Sequence, residues 1–236
     1  MVLNYFQRGF NFSQDGPGNR LVYHLQGCNM RCPWCANPEG IPLHDAAYSE
    51  QAQTAADYAV SCAPMFFGGG GATLTGGEPT VQFEAVKELL LALKAAGINT
   101  AIETNGTHPK LPSLFPVVDH LMIDFKHPDD EIHRELTGVG NGTVKQNIEA
   151  AALLGKPVLV RLLLLEGHNT QYLREYLEFF GSVNTSRISF EFLRYHEYGK
   201  DKWKGGYAFP PAFVTDETLS KFKRAFTEAS LKIVHT

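Results

Sequence analysis

The sequence has few cysteines, no excess of basic residues and no long apolar run. Four cysteines in 236 residues are too few for a disulfide-stabilised secreted fold. A formal charge of −4 gives no positive field for nucleic acid or an anionic membrane. The longest apolar run, Pro157 to Leu165, has the length of a strand and contains Arg161, and the first eight residues lack the features of a secretory signal. We therefore expect a cytoplasmic protein that binds neither nucleic acid nor a membrane.

Three of the four cysteines nevertheless lie within eight residues, with the spacing CxxxCxxC. They are Cys28, Cys32 and Cys35. Three thiolates so close together suit zinc, copper(I) or an iron–sulfur cluster. A structural zinc ion needs a fourth ligand, which His24 or His44 would supply, whereas a [4Fe–4S] cluster held by three cysteines leaves one iron open to a substrate. Cys62, the remaining cysteine, is interpreted as a buried small hydrophobic residue.

Apolar β-rich segments alternate along the chain with segments of helical spacing. The predicted strands cover residues 21–26, 72–75, 98–103, 117–124, 157–165, 187–193 and 231–234. The predicted helices cover residues 49–63, 81–96, 129–136, 144–154, 172–180 and 216–230. Residues 10–20 are rich in turn formers and are predicted to form a loop. About six strand–helix repeats predict an α/β fold with a parallel sheet, in the form of a partial (β/α)6 TIM-like barrel.

Polar residues recur where the predicted strands end. They are Cys28, Gly76, Glu103, Asp124, Arg161 and His196. The carboxyl ends of parallel barrel strands converge on one mouth, so we expect a shared site there. Within it, Gly76-Gly77-Glu78 would expose backbone to a ligand while its carboxylate holds an ammonium group. The alternative for this turn is a strand-to-helix connection with a capping carboxylate.

The chain resembles the glycyl radical enzyme activating enzymes, a radical S-adenosylmethionine (SAM) family whose best-known member activates pyruvate formate-lyase. The resemblance runs nearly end to end. Its motifs are the cysteine loop, Asp15-Gly16-Pro17-Gly18 with Arg20, residues 69–78, 103–106, 122–126 and 131–133, Arg161, and residues 195–200 with Trp203. The cysteine spacing is typical of the radical SAM superfamily. Within that superfamily, the Asp-Gly-Pro-Gly and Tyr-His-Glu-x-Gly-Lys segments indicate a resemblance to the activating enzymes.

The resemblance implies a radical mechanism. Cys28, Cys32 and Cys35 would bind three irons of a [4Fe–4S] cluster, and SAM would chelate the fourth. One electron, from a flavodoxin or ferredoxin-type reductant, would cleave SAM to a 5′-deoxyadenosyl radical. That radical would abstract a hydrogen atom from a glycine of a partner glycyl radical enzyme of the pyruvate formate-lyase type. The protein would supply position and electrostatics for this chemistry.

The resemblance also assigns the residues around SAM. Gly76-Gly77-Glu78 would hold its methionine end, and Trp34 would pack near the adenine. Asp124, Lys126 and His196 would hold the ribose and the carboxylate.

Further positions are assigned to the partner. The turn Asp15-Gly16-Pro17-Gly18 and Arg161 would face the glycine loop of the partner enzyme, with Arg161 also counted among the SAM-binding residues.

The family also carries a monovalent cation beside SAM. The matching ligands here are Glu103, Thr104, Asp124 and the backbone carbonyl of Met122. Oxygen ligands of this kind suit potassium or sodium. The first carboxylate in the pyruvate formate-lyase activating enzyme is an aspartate, so Glu103 departs from the pattern by one methylene.

Many related activating enzymes insert a ferredoxin-like domain with further cysteines. With only Cys62 to spare, we predict a single radical SAM domain over residues 1–236, without such an insert, and a monomer. The segment Cys35-Ala36-Asn37-Pro38-Glu39 is, however, closer to the insert-bearing branch, so the partner stays open. The alternative function is a radical SAM enzyme acting on a small molecule, similar to 7-carboxy-7-deazaguanine synthase, which would not need the Asp-Gly-Pro-Gly turn.

Overall fold

A computed structural model describes residues 1–234 of the chain. The residues fall into two compact units. The first comprises Met1–Asn29, Asn37–Thr104 and Lys110–Leu121. The second comprises Met30–Ala36, Asn105–Pro109 and the chain from Met122 onward.

The first unit contains a mixed sheet of five strands. They are β1 (Val2–Phe12), β2 (Asn19–Leu25), β3 (Tyr48–Gln51), β4 (Gly71–Gly76) and β5 (Thr100–Thr104). The strand order is β3-β1-β2-β4-β5. Strand β1 is antiparallel to both β2 and β3, whereas β2, β4 and β5 run parallel to one another. The parallel strands were predicted, but β1 and β3 were not, and residues 10–12 belong to β1 instead of a loop.

Two helices cover this sheet, α1 (Ala52–Ser61) and α2 (Phe83–Ala95). The apolar residues of α2 recur at helical spacing, and Val86, Leu89 and Leu93 are completely buried. Every buried residue of α1 is an alanine. The small side chains let α1 pack closely against α2.

The sixth strand, β6 (His120–Asp124), begins in the first unit and ends in the second. The second unit adds the parallel strands β7 (Val158–Leu164), β8 (Ile188–Arg194) and β9 (Lys232–Ile233). Its helices are α3 (Asp130–Thr137), α4 (Gly142–Leu153), α5 (Leu173–Gly181) and α6 (Asp216–Glu228). Neither unit closes its strands into a ring within residues 1–234.

Aromatic rings form the core of the second unit. Phe180 lies at the centre, in edge-on contact with Phe125 and Phe190 at centroid distances of 5.7 Å and 4.6 Å. Phe226 packs against Phe190 from α6 at 5.2 Å. Edge-to-face pairs of this kind add roughly 0.5–1.5 kcal/mol each beyond the area they bury. In the part of the chain that the structure describes, no helix is long and apolar enough to cross a membrane.

Candidate active site

The Gly76-Gly77-Glu78 turn is fastened to the segment that follows β2. The Gly77 amide donates to the Leu25 carbonyl at 2.8 Å, and the Glu78 amide donates to the Gly27 carbonyl at 2.7 Å. A Cβ on Gly77 would overlap the Gly27 carbonyl oxygen, so only glycine allows this approach. The turn therefore lies against the residues that lead into Cys28, at the carboxyl ends of β2 and β4.

Glu78 is buried and organises this end of the sheet. Its Oε1 atom accepts hydrogen bonds from the Thr80 amide at 2.9 Å, the Thr80 hydroxyl at 2.6 Å and the Thr104 hydroxyl at 2.7 Å. A carboxylate held by several donors is fixed in place. Glu78 thus acts as an N-cap for the turn after β4 and as an anchor for the end of β5.

Glu103 and Thr104 present oxygen atoms at the carboxyl end of β5. The Thr75 hydroxyl donates to Glu103 Oε2 at 2.8 Å. Because the Thr104 hydroxyl gives its proton to Glu78, its oxygen lone pairs point away from that carboxylate. An oxygen set of this kind has the chemistry of a site for a hard cation.

The three clustered cysteines are divided between the units. Cys28 belongs to the first unit, where its amide donates to the Ile41 carbonyl at 3.1 Å. Cys32 and Cys35 belong to the second unit and are joined by a turn in which the Cys35 amide donates to the Cys32 carbonyl at 3.1 Å. None of the four cysteines, all of which the structure describes, forms a disulfide.

Lys126 supplies a positive charge beside this cysteine turn. Its Nζ donates to Asp124 Oδ2 at 3.0 Å. Burial alone would lower the pKa of Lys126, but the charges of Asp124, Cys32 and Cys35 raise it above its ordinary value. A lysine that stays protonated in this position favours the thiolate form of the two cysteines, which is the form that binds metals.

The loop after β8 packs on the same cysteine turn. The Trp203 indole Nε1 donates to the Cys35 carbonyl at 3.1 Å. A Cβ on Gly199 would lie 2.5 Å from Ala36 Cα, so this position allows only glycine. The Trp34 ring packs against Phe209 at a centroid distance of 5.3 Å. We call residues 195–209 the covering loop. The contacts of the covering loop hold residues 34–36 in place.

We expect replacement of Trp203 by phenylalanine to loosen the cysteine turn. The variant keeps an aromatic ring but loses the N–H that bonds the Cys35 carbonyl, an interaction of about 1 kcal/mol. Backbone amides of residues 32–35 should then exchange with deuterium about fivefold faster, as measured by mass spectrometry on the protein without added cofactors. Tyr198→Phe alters a side chain that is 84% exposed and serves as the control. Unchanged exchange in the Trp203 variant would refute the assignment.

Arg161 and His196 lie on or beside the strands where they were predicted. Arg161 on β7 donates from Nε to Glu191 Oε2 on β8 at 2.8 Å, and the two residues are directly paired in the strand register. Both side chains are largely buried. His196 stacks on Tyr198 at 4.1 Å, and burial lowers the pKa of its imidazole. Glu191 was missed from the sequence, although a carboxylate between two phenylalanines in a strand was a detectable signal.

The turn Asp15-Gly16-Pro17-Gly18 leads into β2 in the first unit and folds over the parallel strands. The Thr73 hydroxyl of β4 donates to the Asp15 carbonyl at 2.7 Å, and a Cβ on Gly16 would lie 3.6 Å from the Ala101 Cβ of β5. The turn therefore lies beside the middle of β4 and β5, whose carboxyl ends carry Gly76 and Glu103.

The turn is fastened by Arg20, which is completely buried on β2. The guanidinium donates to the Pro17 carbonyl at 3.2 Å and to the Thr73 hydroxyl at 2.6 Å. The Thr73 hydroxyl in turn donates to the Asp15 carbonyl at 2.7 Å. Arg20 was noted in the sequence only as part of a motif, and its burial gives it a structural role.

Within residues 1–234, no group of three or more histidine, cysteine, aspartate or glutamate side chains forms a site that could hold a single metal ion. The ligands of one ion must converge on one point. Each cysteine of a [4Fe–4S] cluster instead binds a separate iron, so its three sulfurs are spread around the cluster.

Comparison with known protein sequences identifies the family. The radical SAM superfamily model matches residues 22–180. The pyruvate formate-lyase 1-activating enzyme of Escherichia coli K12 is 33% identical over 198 residues, which cover 80% of this chain and 79% of that protein.

Solved structures agree on the fold. A domain of the pyruvate-formate lyase-activating enzyme from Bacteroides vulgatus is 24% identical with a TM-score of 0.59, covering 70% of this chain and 98% of that one. Streptococcus suis SuiB bound to S-adenosylmethionine is 16% identical with a TM-score of 0.69; the match covers 90% of this chain but about half, 49%, of that one. The predicted fold class, an α/β partial barrel of the radical SAM type, is confirmed.

Proposed function

Because the chain belongs to the radical SAM superfamily, in the family of the pyruvate formate-lyase-activating enzymes, we propose that it activates a glycyl radical enzyme of the pyruvate formate-lyase type. The observation that carries the proposal is the cysteine turn of Cys32 and Cys35, held by the covering loop and faced by the protonated Lys126. This arrangement keeps two thiolates ready for metal in a chain that is 33% identical to a named activating enzyme.

The donor set fits a [4Fe–4S] cluster. Three thiolates with CxxxCxxC spacing would bind three irons and leave the fourth for SAM. They are Cys28, Cys32 and Cys35. When bound and reduced, the cluster would supply the one electron that cleaves the C5′–S bond of SAM to methionine and a 5′-deoxyadenosyl radical. Transfer of one hydrogen atom from the partner glycine to this radical would leave 5′-deoxyadenosine and a glycyl radical.

The residues of this chain would position SAM. We propose that the Gly76-Gly77-Glu78 turn receives its methionine end, with Glu78 fixing the turn through the bonds it accepts. Asp124, Lys126 and His196 would bind the ribose and carboxylate. Trp34 is 7% exposed and packed on Phe209, so it would offer only a small part of its ring to the adenine.

Arg161 and the cation ligands complete the proposed site. The ion pair with Glu191 fixes the Arg161 guanidinium in place. A fixed guanidinium suits a residue that must orient a carboxylate or a peptide loop. Glu103, Thr104, Asp124 and the Met122 carbonyl would bind potassium or sodium. The hydrogen bond from the Thr104 hydroxyl to Glu78 supports this, because it directs the lone pairs of the Thr104 oxygen away from Glu78.

Several finer points are part of the proposal. Asp15-Gly16-Pro17-Gly18 would face the glycine loop of the partner, and the bond from the Thr73 hydroxyl to the Asp15 carbonyl, which holds the turn against β4, supports this. We also propose a single domain without a ferredoxin-like insert, a monomeric state and a flavodoxin or ferredoxin-type electron donor. Because an iron–sulfur cluster needs reducing conditions, the expected cytoplasmic location belongs to the same proposal.

The proposal is tested by anaerobic reconstitution with iron and sulfide, followed by incubation with dithionite, SAM and pyruvate formate-lyase. We expect about four irons per chain and a glycine-centred doublet in the electron paramagnetic resonance spectrum of the lyase, with 5′-deoxyadenosine formed in equal amount. Formation of 5′-deoxyadenosine without the doublet would overturn the assigned partner and favour the small-molecule alternative.

A further inference from the structure

We propose that Asn169 and Tyr176 are positioning residues that hold Lys126 in the orientation in which it would bind the carboxylate of SAM. The inference rests on the proposed function, because it assigns a role to two further residues around the proposed SAM site. All three residues belong to the second unit, in the chain from Met122 onward. Neither Asn169 nor Tyr176 was identified as a candidate from the sequence.

The main-chain carbonyl of Lys126 is held by two side chains. Strand β6 ends two residues before Lys126. The Lys126 carbonyl accepts hydrogen bonds from Asn169 Nδ2 at 3.2 Å and from the Tyr176 hydroxyl at 3.1 Å. A carbonyl oxygen has two lone pairs, and the two donors use both of them. The position of the Lys126 main chain beyond the end of the strand is therefore fixed by Asn169 and Tyr176.

The two donors are themselves fixed. Asn169 is completely buried, and its side-chain amide also donates to the Leu163 carbonyl at 2.7 Å and accepts from the Leu165 amide at 2.8 Å. These bonds attach Asn169 to the end of β7. Tyr176 on α5 is completely buried, with its ring in edge-on contact with Phe125 at 5.8 Å. Burial raises the pKa of Tyr176, so its hydroxyl keeps the proton that it donates.

The other end of Lys126 is held by an ion pair. Its Nζ donates to Asp124 Oδ2 at 3.0 Å, and only 15% of the lysine side chain is exposed. A lysine has a long flexible stem and loses much rotamer freedom when it is ordered. Because the main chain and the ammonium group of Lys126 are both fixed in the free protein, little of this cost remains when a ligand binds. The ammonium group is thus preorganised for an anion, and the anionic group of SAM is its carboxylate.

Such a network can serve the fold or the ligand, and the two roles have different consequences. If Asn169 and Tyr176 only secure the fold, their loss lowers stability and leaves SAM binding unchanged. If they position Lys126, their loss also weakens SAM binding, and does so only while the Lys126 ammonium group is present. Both donors converge on the residue whose side chain carries the cation, which favours the positioning role.

The test measures the KM for SAM in 5′-deoxyadenosine formation by the reconstituted enzyme with dithionite. Tyr176→Phe keeps the ring and removes the hydroxyl. We expect the KM to rise about threefold, because Asn169 still bonds the Lys126 carbonyl and only part of the hold is lost. The kcat should stay at the wild-type value, because the contact with the carboxylate is the same in the ground state and the transition state.

Tyr23→Phe is the matched control for Tyr176→Phe. Tyr23 is equally buried, and its hydroxyl also donates to a backbone carbonyl, that of Ala55 at 2.9 Å, but in the first unit. Its variant loses a hydrogen bond of the same kind without affecting Lys126, so the KM for SAM should remain at the wild-type value.

A second pair of variants separates the two donors from their target. In the background of Lys126→Met, Tyr176→Phe should leave the affinity for SAM, measured by calorimetry, unchanged, because the group on which Tyr176 acts is gone. Asn169→Asp keeps the acceptor for the Leu165 amide but loses the amide donor to Lys126, so it should raise the KM at least as much as Tyr176→Phe. Tyr176→Phe alone decides if circular dichroism shows that Asn169→Asp does not fold.

Three results would overturn the inference. They are an unchanged KM in Tyr176→Phe, an equal rise in Tyr23→Phe, and weaker SAM binding when Tyr176→Phe is added to Lys126→Met. Wild-type protein that cleaves no SAM would instead refute the proposed function. Hydrogen–deuterium exchange without SAM then decides the positioning. Amides of residues 125–129 should exchange about threefold faster in Tyr176→Phe than in wild type, and equal exchange would show that Tyr176 does not hold Lys126.

Discussion

Replacing Cys32 by alanine is expected to abolish SAM cleavage. Cys32 is the most buried of the clustered cysteines, at 8% exposure, and lies beside the charge of Lys126. Loss of one of three thiolates leaves a second iron without a protein ligand, so the cluster should be incomplete or absent. We expect the rate of 5′-deoxyadenosine formation to fall at least about 100-fold, since even the loss of residues that only support metal ligands costs 10- to 100-fold.

Cys62→Ala is the matched control for this experiment. Cys62 caps the end of α1 in the first unit and has no place in the proposed site. Its alanine variant should keep wild-type iron content and activity. A Cys32→Ala protein that still cleaves SAM would show that the ligand assignment is wrong, and zinc without iron in the reconstituted wild type would support the structural zinc alternative.

The parallel strands were predictable because each combines a β-rich apolar run with a following turn. Strand β7 was predicted over residues 157–165 and lies at Val158–Leu164, and β8 was predicted over 187–193 and lies at Ile188–Arg194. Strand β1 was missed because Leu3 and Tyr5 are its only buried residues. Its remaining residues are exposed or half-buried, so no continuous apolar pattern marks the strand.

The candidate site was predictable in its residue types but not in its connections. The polar residues that follow β4 and β5 were identified because parallel strands place their carboxyl ends at one edge. The bonds from Thr104 to Glu78 and from Arg161 to Glu191 depend on strand register, which periodicity alone does not fix. The contact of Trp203 with Cys35 spans 168 positions of the chain. A single sequence carries no signal for such a pair.

The contrast between Arg20 and Asp15 shows how a motif can combine two roles. The resemblance includes Asp15-Gly16-Pro17-Gly18 and Arg20 in one motif and assigns the turn, but not Arg20, to the partner. In the structure the Arg20 guanidinium also donates to the Ala72 carbonyl at 2.8 Å and to Asn99 Oδ1 at 3.0 Å, which ties β2 to β4 and to the start of β5. The arginine therefore holds the sheet edge together, and the turn keeps its shape because of it.

Replacing Arg20 by methionine is accordingly expected to lower the free energy of unfolding by about 3 kcal/mol. The variant preserves the apolar stem but leaves two buried acceptors, the Thr73 hydroxyl and the Ala72 carbonyl, without this donor, each at a cost of roughly 1–3 kcal/mol. The acceptors on Pro17, Gly69 and Asn99 are only partly buried. Part of this cost is returned, because burial lowers the pKa of Arg20 to about 10 and the cation itself is expensive to bury.

Urea unfolding followed by circular dichroism measures this loss. Arg174→Met provides the control, since Arg174 is an exposed helix residue whose ion pair with Glu178 should contribute no more than about 0.5 kcal/mol. Arg20→Lys should fall between the two, because one ammonium group cannot reach acceptors on both sides of the guanidinium plane. A free energy of unfolding for Arg20→Met within about 0.5 kcal/mol of the wild-type value would contradict the prediction. The hydrogen bonds of Arg20 would then not stabilise this part of the sheet, and the Asp15 turn would be held by its own backbone hydrogen bonds.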